Sequence, residues 1–86
     1  MEPFYYNHMD KERQAVYRAM QQGLLSLADS FQIPRIDGHA LGDIFFELRL
    51  DHPEIFWVSS FKYRYFADSP NLIFIPEYLF EKSKIK

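Results

Sequence analysis

The chain has 86 residues, a formal net charge of −2, 26% charged and 48% hydrophobic residues, three histidines and no cysteine. A chain of this length forms one domain at most and buries roughly 60–65% of the surface its unfolded form exposes. The interspersed, slightly acidic charge offers no basic field for a phosphate backbone. The missing cysteines exclude disulfides, thiolate nucleophiles and thiolate metal sites, in keeping with a reducing, cytoplasmic setting.

Aromatic residues make up 19% of the chain, as nine Phe, six Tyr and one Trp. So many large rings are hard to bury fully in so small a body, so several are expected half exposed on a surface that meets another molecule. The N-terminal stretch "MEPFYYNHMDKERQ" carries early acids and no apolar core of a signal peptide. No segment reaches the roughly 18 apolar residues of a membrane span.

Asn7 or Asp10 is placed to cap a first helix, predicted to run to about Ala28 with Val16, Tyr17, Met20, Leu24 and Leu27 as its apolar stripe. Gly23 interrupts it, either because another backbone approaches closely or because the helix ends weakly there. "SFQIPRID" reads as a brief edge strand or an extended linker, since Pro34 has no amide hydrogen to give a ladder. Asp37 then caps a second helix from Gly38 to about Leu50. Its stripe of Leu41, Ile44, Phe45 and Leu48, widened by Phe46 and Leu50, predicts burial over more than half its circumference.

Pro53 stops this helix at Asp51 or His52. Residues 55 to 66, "IFWVSSFKYRYF", read as a strand with Phe61, Tyr63 and Tyr65 on one face and Lys62 and Arg64 on the other. "ADSPN" supplies a turn, and "LIFIP", 72 to 76, returns as an antiparallel partner. The sum is an α+β fold: two helices on a small antiparallel sheet, a hairpin with a short edge strand. The final "EKSKIK" is either the first turn of a third helix or a charged, solvated tail.

Asp51, His52 and Glu54 are the one cluster of acid/base groups, but their spacing is no ligand pattern, and a helix stop explains them. Ser59 and Ser60 lack the G-x-S-x-G elbow of a hydrolase nucleophile, and the three glycines form no phosphate loop. "FKYRYF" alternates rings and cations as single-strand RNA binders do, yet it lacks the glycines of that motif and places rings and cations on opposite faces. No catalytic residue, metal or cofactor is expected, and neither a nucleic acid nor a membrane partner.

"FYYNHMDKERQAVYRAMQQGL", "ALGDIFFELRLDHPEIFWV", "YRYF" and "IPEYLF" together resemble the region N-terminal to the transglutaminase-like domain in a group of bacterial, mostly Firmicutes, proteins. The most specific part is "DHPEIFWV". The resemblance implies that residues 1–86 are a single accessory domain, a truncated N-terminal part of a longer protein, whose papain-like Cys, His and Asp triad lies beyond residue 86. It further implies a non-catalytic role, packing on that downstream domain or on another protein. Tyr5, Tyr6, Tyr63, Tyr65 and Tyr78 are the expected contact surface, and the same face or the hairpin edge could sustain a homo-oligomer. The alternative is a free-standing peptide- or carbohydrate-binding module that uses exposed rings as stacking platforms.

Overall fold

The computed structural model describes residues 9–79. Helix α1 spans Lys11–Leu25, strand β1 Phe31–Pro34, helix α2 Gly38–Asp51, a short 3-10 turn Pro53–Ile55, strand β2 Val58–Tyr65 and strand β3 Asn71–Tyr78. The three strands form one antiparallel sheet in the order β1-β3-β2, and both helices pack on one of its faces. The α+β architecture expected from the sequence is the one observed.

Both helix starts are set by aspartate caps. Asp10 Oδ1 accepts the Arg13 amide hydrogen at 2.8 Å and Asp37 Oδ1 that of Ala40 at 2.9 Å, each satisfying one of the orphan donors of a first turn. Helix α1 stops at Leu25, three residues before the expected Ala28. The amide of Ala28 donates to the Gly23 carbonyl and that of Leu27 to Leu24, both at 3.1 Å. This paired closure places Leu27 in the left-handed region at φ 58°, a position usually given to glycine.

The reason for Gly23 is a ring and not a backbone: a Cβ there would overlap the Phe31 side chain, which packs on α1 from β1. Strand β1 is an edge strand, paired with β3 in the register Phe31 with Phe74 and Ile33 with Leu72. Strand β2 begins at Val58 rather than 55, because Pro53 opens a 3-10 turn, and it carries a bulge at Ser59. Strand β3 extends to Tyr78 and tolerates Pro76 because β1 pairs only as far as Phe74, so no neighbour on that side asks for its amide.

Directly paired residues of antiparallel strands share a face. Phe31 and Ile33, then Leu72, Phe74 and Pro76, then Phe61, Tyr63 and Tyr65 therefore all point to the helices. Phe74 is fully buried at the centre, with ring centroids of Phe31 at 5.1 Å, Phe61 at 4.9 Å and Phe45 at 6.3 Å. Val16, Tyr17, Met20 and Leu24 of α1 and Leu41, Ile44 and Leu48 of α2 close the core.

Helix α2 departs from expectation on its outer side. Its buried stripe is Ala40, Leu41, Ile44, Phe45 and Leu48, but Phe46 and Leu50 are exposed. One sheet and one helix cover only one arc of a helix. Apolar residues a further 100° round the axis are left outside.

Candidate functional site

Among the tyrosines expected to form one contact surface, Tyr5 and Tyr6 lie outside the described residues. Tyr63 and Tyr65 do come together, on the inner face of β2 where it overhangs α2. They are 39% and 40% exposed, with ring centroids 5.4 Å apart, edge to face. The Tyr65 hydroxyl donates to the Ile36 carbonyl at 2.6 Å, and the Arg35 guanidinium lies over its ring at 4.6 Å. Tyr63 reaches Gly38 at the start of α2, where a side chain would meet its hydroxyl.

Tyr78 is elsewhere. Pairing of Val58 with Tyr78 and of Tyr65 with Leu72 puts Tyr78 and Tyr65 at opposite ends of the hairpin. The Tyr78 hydroxyl donates to the Ala28 carbonyl at 2.8 Å, and burial raises its pKa above the ordinary tyrosine value. It ties β3 to the end of α1.

Asp51, His52 and Glu54 are near one another in sequence but face in two directions. Asp51, in the last turn of α2, accepts the Tyr17 hydroxyl at 2.7 Å. Burial first, and then this bond to a carboxylate, push the Tyr17 hydroxyl far above its usual pKa, so it stays a donor. His52 forms the helix end, because Pro53 cannot continue the ladder. Gln21 Nε2 donates to His52 Nε2 at 2.7 Å, which leaves Nδ1 to donate to Glu54 Oε2 at 2.9 Å. That bond holds the Glu54 carboxyl below its ordinary range. Both ring nitrogens are thus occupied by the chain's own groups. The set locks α1, the end of α2 and the 3-10 turn together. Among the described residues, no three His, Asp or Glu side chains stand where they could hold a metal ion. No helix among them is long and apolar enough to cross a membrane.

The same corner of the molecule carries an exposed apolar surface. Phe46 is 63% exposed and Leu50 52%, one turn apart on α2. With Pro53 and Phe56 they line a concavity of about 240 Å³ that reaches the buried Ile55, while Arg49 and His52 supply its polar rim. Glu47 sits on the α1 side of the same helix, and its partial burial raises its carboxyl pKa. The signal for this surface was present in the sequence as an apolar helix face too broad for one core contact. Nothing local said which edge of that face would be left open.

Comparison with protein families, with curated proteins and with solved structures finds no match to this chain.

Proposed function

We propose that this chain is a cytoplasmic, non-catalytic interaction domain that docks on a protein partner through the outer face of α2. The observation that carries the proposal is the pair Phe46 and Leu50, exposed on successive turns beside a concavity with a polar rim. A contiguous apolar surface with charged groups at its border is the usual anatomy of a protein contact, and its exposure to water is unfavourable until something covers it.

The resemblance of "DHPEIFWV" to the region upstream of transglutaminase-like domains suggests that the partner is carried on the same polypeptide, after residue 86. The position of β3 supports this. The Leu79 amide donates to the Trp57 carbonyl at 2.7 Å, and the Trp57 ring meets that of Phe56, 5.4 Å away at the concavity. Strand β3 thus ends beside that surface, within reach of a domain further along the chain. The carbohydrate-binding alternative is weaker on geometry, since Tyr63 and Tyr65 meet at 71° and present no common flat platform for a sugar ring.

Amide hydrogen exchange on the full gene product and on residues 1–86 tests the proposal. Added protection at residues 46 to 56 in the longer chain is expected, and Phe46→Ser with Leu50→Ser should abolish it without lowering the melting temperature of residues 1–86. Equal protection in both chains, or a reading frame that closes at Lys86, sinks the proposal.

A further inference from the structure

The two edges of the sheet are not equivalent. Strand β1 presents four residues, one of them Pro34 with no amide hydrogen, and the Arg35 amide that follows is already bonded to the Pro70 carbonyl at 2.9 Å. Strand β2 presents eight residues, and among the described residues no strand pairs with its outer side. An edge of that length carries a row of backbone donors and acceptors ready to receive a further strand.

The side chains along β2 say what kind of strand fits. Its outer face carries Ser60, Lys62 and Arg64, all exposed, and its inner face carries Phe61 and the half-exposed Tyr63 and Tyr65. Lys62 has a long ion pair with Glu77 of the neighbouring strand β3, at 3.6 Å. A second copy paired antiparallel about Tyr63 would set Lys62 opposite Arg64 twice. Pairing about Lys62 or Arg64 would set each of those cations opposite itself. Like charges directly opposite on one face are destabilising, and opposite charges there are stabilising. In these three registers the cations disfavour a second copy, and the same charges favour an acidic partner.

We infer that the β2 edge accepts an extended, acidic segment of another protein as a fourth strand, with carboxylates at alternate positions beside Lys62 and Arg64 and apolar side chains against Tyr63 and Tyr65. This edge is separate from the outer face of α2, so either surface can fail without the other.

The test uses two capped octapeptides, four repeats of Glu-Val and four repeats of Lys-Val, titrated into the isotopically labelled chain at low ionic strength. The acidic peptide is expected to shift and protect amides of residues 59 to 65 and to bind about tenfold tighter than the basic one, the factor expected from two cross-strand charge pairs exchanged for repulsions. Added salt should shrink the difference. Lys62→Glu with Arg64→Glu should invert the preference, and Lys62→Ser with Arg64→Ser should erase it. All four changes fall on exposed side chains, and a melting curve checks each fold. Equal affinity for the two peptides, shifts centred outside β2, no shift at about millimolar peptide, or a homodimer that protects the β2 amides without peptide would each overturn the inference.

Discussion

Gly23 and Gly42 sit in helices and would be treated alike on helix propensity alone, yet their surroundings differ. A Cβ on Gly42 meets nothing, whereas a Cβ on Gly23 runs into the Phe31 ring, itself held against Phe74. Gly42→Ala should raise stability by up to ~1 kcal/mol, the helix-propensity difference. Gly23→Ala should lower it by about 1–3 kcal/mol through overpacking, because the ring has a packed neighbour behind it. Urea midpoints of the two variants check both signs, and Phe31→Ala should make Gly23→Ala nearly harmless. Sequence shows the glycines but not the ring opposite one of them, since Phe31 lies on another element. The tyrosines teach the same lesson. Alternation correctly placed Tyr63 and Tyr65 on one face, whereas Tyr78 joined them only by residue type and belongs to the far end of the hairpin.

Helix boundaries were legible where chemistry acts within one turn and obscure where it acts across elements. Asp37 was readable as a cap, Asp10 as one of two candidates beside Asn7, and Pro53 as a stop. The early end of α1 was hidden, because it depends on Leu27 adopting a conformation that its side chain does not advertise. The Asp37 cap has a pH signature. The amide of Ala40 bonds the carboxylate and holds its pKa below the ordinary 3.8. A carboxyl depressed on folding contributes stability above its unfolded pKa and loses it as pH falls through the folded one. The stability difference between the wild type and Asp37→Asn should thus be largest at neutral pH and shrink below 3.8. Glu47 titrates with the opposite sign, since burial raises its carboxyl pKa, but it is common to both proteins and cancels in the difference. Chemical denaturation from neutral pH to about pH 3 reads the effect, and a difference that grows in acid would contradict the sign.

At the scale of the molecule, the layer of helices on an antiparallel hairpin was readable from two periodicities, one near 3.6 and one of 2. The sheet order was not. Nothing in "FQIP" states that Ile33 will face Leu72 rather than a residue of β2, since apolar alternation names a face and not a neighbour. The openness of Phe46 and Leu50 was hidden for the same reason: it depends on how far the sheet reaches round α2. The packing centre that results is a single ring. Phe74→Ala should cost about 3–5 kcal/mol, with the Phe31, Phe45 and Phe61 rings left around a void. That is comparable with the whole stability, about 5–10 kcal/mol, of a domain this small, so a large unfolded fraction should appear in circular dichroism without denaturant. The central place of β3 also governs synthesis. Strands β1 and β2 each pair with β3 and not with each other, and β3 is the last of the three to leave the ribosome. The nascent chain therefore holds two waiting strands and no sheet until residue 78 emerges, and the domain forms in one late step instead of growing from its N-terminus.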